Sequence, residues 1–406
     1  MGKVMKISLK IRAAVAALTL AATVLVPAPS NADLSVPKTA WPACDSTRVT
    51  YCVESISILS LGNASPEALT WIPSGTVSSA SASVSAIVPT VVTTAGTAVT
   101  GMWTSPSWDA SGKSAFGYDG VTIDIKTANA FVNHLFFTVQ PVKYDPATGS
   151  TTKAMSSTYT STLADLNLDD KIIVKVRTGE IVSGVSVGFS SNFSATSAAG
   201  SITFAGTPVP TPQAARASQC TGETGVASAV VNGMQGFVVV ENDDMGFGVD
   251  GLTGKMYVAS NGTCGTSTPV WDESARQLSW TVAAPHFAPD GTTVNKGFYK
   301  AVIPANDALL LWGLSNPKDA VTALTISVTE ETGGPAVSVK KVSYINGNIV
   351  IDVSGFEYSK PKLIIRKNAK YTKFAKLATF KCYDSKLKKT LTIKKVYGCP
   401  AGTKKA

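Results

Sequence analysis

Val342-Ser343-Tyr344-Ile345-Asn346-Gly347-Asn348-Ile349-Val350-Ile351-Asp352-Val353 is the stretch that decides the fold class. Asn-Gly sits between two runs of β-branched and aromatic residues. A two-residue type I′ turn needs positive φ at both central positions, and Asn and Gly adopt it at least cost. The stretch therefore reads as a β-hairpin. Working outward, Val121-Thr122-Ile123-Asp124-Ile125 and Leu324-Thr325-Ile326-Ser327-Val328 alternate apolar and polar residues at period two, and Lys171-Ile172-Ile173-Val174-Lys175-Val176 does so with one slip. Helical periodicity is nearly absent, and Gly, Pro, Asn and Asp clusters separate the short runs. This pattern predicts an all-β chain built as two tandem Ig-like β-sandwich domains.

Thr207-Pro208-Val209-Pro210-Thr211-Pro212-Gln213 marks the expected boundary. A Pro/Thr segment of this kind favours an extended, semi-rigid linker. The expected division is a first sandwich over 33–206, a linker over 207–216, a second sandwich over 217–366 and a basic tail over 367–406. The tail is expected to be a small β-hairpin stapled by a disulfide. Asn133-His134-Leu135-Phe136-Phe137 and Asn295-Lys296-Gly297-Phe298-Tyr299 form a faint echo between the two halves.

The N-terminus carries export grammar. Lys3, Lys6, Lys10 and Arg12 precede the uncharged apolar run Ala13–Val26, and Pro27-Ala28-Pro29-Ser30-Asn31-Ala32 supplies a helix-breaking segment with small residues before Asp33. Residues 1–32 are therefore expected to be a signal peptide, and the apolar run is short for a membrane span. The cysteines agree with export. They fall into three neighbouring pairs, Cys44 and Cys52, Cys220 and Cys264, and Cys382 and Cys399, the simplest disulfide pairing among the 15 that six cysteines allow. None shows the C-x-x-C spacing of thiol-redox or zinc sites.

Charge is divided along the chain. Residues 335–406 hold 16 Lys and one Arg against Asp352, Glu357 and Asp384, a net +14. Residues 33–334 hold 15 cations against 24 acids, a net −9. An exported acidic body with a cationic end is suited to retention on a polyanion. Lys386, Lys388, Lys389, Lys394 and Lys395 are the polyanion-binding candidates. Lysine predominates over arginine, which favours point-charge attraction over bidentate recognition. Nucleic acid fits the charge but not the export signal, leaving an anionic cell-wall polymer or membrane surface as the expected partner.

Catalytic signatures are missing. The sequence has no H-E-x-x-H and no Gly-rich phosphate loop leading into a helix, and its only histidines are His134 and His286. Asp165-Leu166-Asn167-Leu168-Asp169-Asp170 starts like a calcium loop, but lacks Gly at the sixth position and Glu at the twelfth. Glu241, Asp243, Asp244 and Asp250 crowd one Gly-containing loop and are the metal-ligating candidates. No cofactor is expected apart from a structural Ca²⁺ there. Trp103, Trp108, Phe116 and Tyr118 lie in a turn-rich stretch; Trp103, Trp108 and Tyr118 are the candidates for stacking on a glycan, set against a role in closing the core. Trp271, Trp280 and Trp312 sit in apolar strand context and are expected in the core.

The end of the chain, Lys381-Cys382, Lys388-Lys389 and Val396-Tyr397-Gly398-Cys399-Pro400-Ala401-Gly402-Thr403-Lys404-Lys405, resembles a short basic C-terminal module found on uncharacterised secreted proteins of actinobacteria. The likeness covers about the last 25 residues. It implies secretion and a Gram-positive source and brings no activity or site residues. The expected function is that of a secreted, non-catalytic surface protein that binds glycan or another protein. The alternative is a secreted hydrolase of wall or extracellular polysaccharide, since a carboxylate pair leaves no local signature.

Overall fold

In the computed structural model the Asn-Gly hairpin forms as read. Asn346 has φ 49° and Gly347 φ 77°, and they join β23 (Val339–Ile345) to β24 (Asn348–Glu357) with Ile345 opposite Asn348. Described are residues 41–73, 75–78, 85–88, 91–92, 98–99, 101–104, 120–127, 134–142, 168–179, 181, 183–213, 226–227, 229–240, 249, 252–329, 338–358, 361–371, 378–384, 387–395 and 403–405. All lie in the unit Val36–Ala406, and the other unit, Met1–Ser35 with the whole of the expected signal peptide, is outside them. Among the described residues no helix is long and apolar enough to cross a membrane.

The fold is all-β, and its centre is an eleven-stranded sheet. From the hairpin it runs β23, β24, β21 (Lys296–Pro304), β17 (Met256–Ser260), β12 (Ser183–Phe189), β16 (Ala229–Val240), β10 (His134–Val142), β9 (Gly120–Thr127), β8 (Gly101–Thr104) and β3 (Thr70–Pro73), with β15 (Val209–Gln213) also paired to β16. A first cover sheet has the order β13 (Ser191–Ala198), β14 (Ser201–Thr207), β11 (Lys171–Arg177), β1 (Cys52–Leu59) and β2 (Glu67–Ala68). A second cover sheet runs β18 (Gly265–Thr266), β20 (Gln277–Ala283), β25 (Lys362–Lys367) and β22 (Leu324–Thr329), with β19 (Val270–Asp272) on β20. Smaller sheets pair β4 (Gly75–Ser78) with β5 (Ser85–Val88), β6 (Val91–Val92) with β7 (Ala98–Val99), and β26 (Ala378–Asp384) with both β27 (Lys389–Lys395) and β28 (Thr403–Lys405).

Side-chain parity places the two cover sheets on opposite faces of the central sheet. On one face Phe137 stacks on Phe204 of the first cover sheet at 4.3 Å, Tyr257 meets Phe193 edge-on at 5.9 Å, and Ile56, Ile58, Ile125 and Val174 complete the core. Met256 and Val258, the neighbours of Tyr257, point the other way. They join Val185, Val187, Phe237, Trp280, Tyr299, Ile351 and Trp312 in the second core, which α1 (Ala305–Trp312) and α2 (Ala320–Ala323) help to close. Strand β12 therefore has protein on both faces, and it pairs in parallel with β17, Val187 opposite Val258. Parallel pairing is characteristic of strands covered on both sides.

The Pro/Thr segment, expected to be an extended, semi-rigid linker, forms a paired strand. Val209 to Gln213 pairs with Gly233 to Ala229, and Val209 is buried. Pro210 and Pro212 lack N–H donors, which suits a strand paired on one side only. β25 lies between β20 and β22, with Leu363 and Ile365 buried. Tyr371 packs against the second core and its hydroxyl donates to Asp319 at 2.8 Å. Tyr371 is therefore part of the second core's surroundings.

Disulfide chemistry is present. Cys44 is bonded to Cys52, closing the entry to β1. Cys264 and Cys382 are also in disulfide linkage, while Cys220 and Cys399 lie outside the described residues.

Candidate functional site

The basic module is the three-stranded sheet β27–β26–β28. Its register sets Cys382 between Leu391 and Lys405, Tyr383 between Thr390 and Lys404, and Asp384 between Lys389 and Thr403. Cys382 is fully buried, whereas its neighbours Lys381 and Tyr383 are exposed, as the period-two geometry of a strand requires. The turn between β26 and β27 is held by Asp384, whose Oδ1 accepts from the Leu387 amide at 3.0 Å. Lys388 takes φ 49° in that turn. Lys388 and Lys389 are exposed; Lys394 and Lys395 stand opposite Thr379 and Ala378 in the register, and Lys386 lies outside the described residues. Lys340 and Lys341 on the hairpin, and Lys362 and Lys370 between it and the module, add exposed cations.

The body treats its charges differently. Glu54, at a bulge in β1, receives Lys175 Nζ at 2.7 Å and Arg177 Nε. The Arg177 guanidinium, then Lys175, holds the Glu54 carboxyl below its usual value. Lys296 pairs with Glu357 at 2.6 Å across β21 and β24. These cross-strand pairs use acid and base from the body's own strands. Exposed pairs of this kind are worth roughly 0–1 kcal/mol, so they set register more than stability.

Trp103 is not an exposed stacking face. It is 5 % exposed, opposite Trp71 and Val121 in the central sheet, with its ring 5.5 Å from that of Trp71. A large aromatic on a strand of a covered sheet buries its area in preference to offering it to a sugar. Trp108, Phe116 and Tyr118 lie outside the described residues, as do Glu241, Asp243, Asp244 and Asp250. Trp280 and Trp312 are in the core, with their indole N–H groups donating to Ser267 O at 2.9 Å and Arg276 O at 3.1 Å. Trp271 packs against that core, edge-on to Trp312. His286 is structural: its Nδ1 lies 2.9 Å from the Tyr358 carbonyl oxygen and its ring stands edge-on to Phe287. His134 opens β10 opposite Val239.

Two carboxylates have buried positions that the sequence did not single out as structural. Asp170, at the entrance to β11, is 2 % exposed, and burial pushes its carboxyl above the usual range against the opposing pull of Ser60. Asp307, in the first turn of α1, accepts from the Thr253 amide at 2.9 Å and the Thr253 hydroxyl at 2.7 Å. It thereby ties the approach to β17 onto the helix. Burial raises the Asp307 carboxyl, partly offset by the Thr253 bonds and by the charge of Lys255. The folded chain thus holds this proton to higher pH than the unfolded chain. Its contribution to stability falls as pH rises from about 3.8 through the raised value. Asp307→Asn is expected to lessen that fall, read as the difference in denaturation midpoint from wild type at successive pH values. Asp307→Ala, which leaves the Thr253 amide without its acceptor, should cost about 1–3 kcal/mol at low pH and less as pH rises.

No family model matches the chain, and no solved structure matches it. Halomucin of Haloquadratum walsbyi (strain DSM 16790 / HBSQ001) is 39 % identical to it over 89 residues, which are 20 % of this chain and 1 % of that protein. The chain therefore spans about one hundredth of the length of the curated relative it matches.

Proposed function

We propose that this is an exported, non-catalytic β-scaffold held on an anionic envelope polymer by its C-terminal module. The carrying observation is the separation of charge: +14 on residues 335–406 against −9 on residues 33–334, with Lys388 and Lys389 exposed on a sheet of their own. The disulfides at Cys44, Cys52, Cys264 and Cys382 support an oxidising, extracytoplasmic location. So does the stretch shared with Halomucin, whose name places it among mucins. The likeness of the last residues to a module of secreted actinobacterial proteins favours a Gram-positive wall polymer over a lipid surface.

The test is binding of the mature chain to an immobilised polyanion, compared with a chain ending at Thr372. That end point keeps Tyr371 and β25, removes Cys382 and Cys399 together, and deletes ten lysines. Each lysine near an anionic surface contributes up to about 1 kcal/mol, so affinity at low salt should fall at least about a hundredfold. Binding by the full chain should fade towards 1 M salt, where the screening length is about 3 Å. Equal retention of both chains at low salt would remove the tail as a tether.

A further inference from the structure

The hairpin that opens the central sheet leaves β23 at its rim. Apart from the pairing with β24, β23 has no hydrogen-bonded partner strand among the described residues. The strand is long for a rim and, although α2 lies against it, carries exposed apolar groups: Val339 is 72 % exposed, Ile345 50 % and Tyr344 37 %. Lys340 and Lys341 are exposed beside them. Lysines on a rim ordinarily keep strands of other molecules away. Here their positions in the strand give a different outcome.

We infer that β23 pairs antiparallel with the β23 of a second copy of this chain, across a two-fold axis at Val342. The backbone allows that register. In a two-residue hairpin the residues flanking the turn form a hydrogen-bonded pair, so Ile345, Ser343, Lys341 and Val339 spend their N–H and C=O groups on β24. Lys340, Val342 and Tyr344 then direct theirs outward. A two-fold at Val342 sets Val342 opposite its own copy and Lys340 opposite Tyr344 of the other chain, so all the outward groups meet partners.

The side chains are self-complementary in the same register. Val339 meets Ile345 of the other copy, covering the two most exposed apolar groups of the strand. Lys341 meets Ser343. On the other face each Lys340 ammonium meets a tyrosine ring, a favourable cation–aromatic pair. No lysine stands directly opposite a lysine, whereas like charges directly opposite would be destabilising. The contact is isologous and closes at two copies, since both rims are consumed. The pairing extends the central sheet through the dimer and presents two basic modules per particle. It does not depend on what those modules bind.

The test is the mass of the mature full-length chain in solution, by light scattering across a dilution series, together with two variants. Wild type should be a dimer that dissociates on dilution. Tyr344→Lys sets two ammonium groups opposite each other twice over, and should raise the dissociation constant at least about tenfold. Adding Lys340→Glu to Tyr344→Lys restores opposite charges and should restore the dimer, an outcome that misfolding would not produce. A wild-type monomer throughout the series overturns the inference. So does a dimer that Tyr344→Lys leaves intact, or a loss that Lys340→Glu does not reverse. Because the readout is mass, it is independent of whether the tail binds any polyanion.

Discussion

Trp280→Ala should lower the unfolding free energy by about 4–5 kcal/mol, the upper part of the range for removing a buried aromatic. Trp280 is 2 % exposed on β20 and stands against Tyr299 of the central sheet, with ring centroids 5.2 Å apart at 62°. The second core around it, with Leu363, Ile365, Phe356 and Trp312, comes from three layers. Collapse into the cavity would have to move a cover sheet, the central sheet or α1, and each is fixed by hydrogen bonds of its own. The Ser267 carbonyl would lose its indole donor as well. The measurement is denaturant unfolding of the chain. A loss below about 1.5 kcal/mol would mean that the second cover sheet is not packed as described.

Gly236→Val is the second large effect, with an expected cost of at least about 3 kcal/mol, at or beyond the usual limit for overpacking. Gly236 on β16 lies opposite Gly188 on β12, and the pair forms a hollow on the face of the first cover sheet. Phe137 and Phe193 fill it. A Cβ at Gly236 would come 2.7 Å from the Phe137 ring and 2.3 Å from the Val187 carbonyl oxygen, and the backbone oxygen has nowhere to retreat. Gly233→Ala on the same strand meets only the Thr211 hydroxyl at 3.2 Å, and should cost far less. Strands β12 and β16 serve both cores: Phe237 and Val239 belong to the second, while Gly236 supports the first. Tryptophan fluorescence from Trp103 in one core and Trp280 in the other should therefore report the same lowered midpoint. Separate midpoints would show that the shared sheet does not couple them.

Local chemistry made much of this legible. Asn346-Gly347 specified its turn because few residue pairs take two successive positive φ values cheaply. Ile172, Val174 and Val176 alternate with Lys171, Lys175 and Arg177, and burial follows that alternation without exception in β11. The core role of Trp280 followed from apolar strand context; Trp312 is in the core as expected, but at the end of α1 and not on a strand, and the disulfide at Cys44 and Cys52 followed from their proximity in sequence. Trp103 was harder. Its neighbours are turn residues, and only its pairing with Trp71, 32 residues earlier, encloses it.

Amino-acid order alone determined the period-two strands, the hairpin and the separation of charge, because each rests on a residue's own φ preference, period or ionisation. Tertiary structure decided which strands share a sheet. Val185 to Phe189 shows why: one face carries Val, Val and Phe, while the other carries only Ser186 and Gly188, small so that Phe193 can enter. A strand covered on both faces ordinarily announces itself as an apolar run. Here the second face is filled by a ring from another strand, so β12 reads as half-exposed, and its parallel partner β17 cannot be foreseen. The Pro/Thr segment is the same case, since its pairing with β16 depends on a rim that exists only once the sheet has formed.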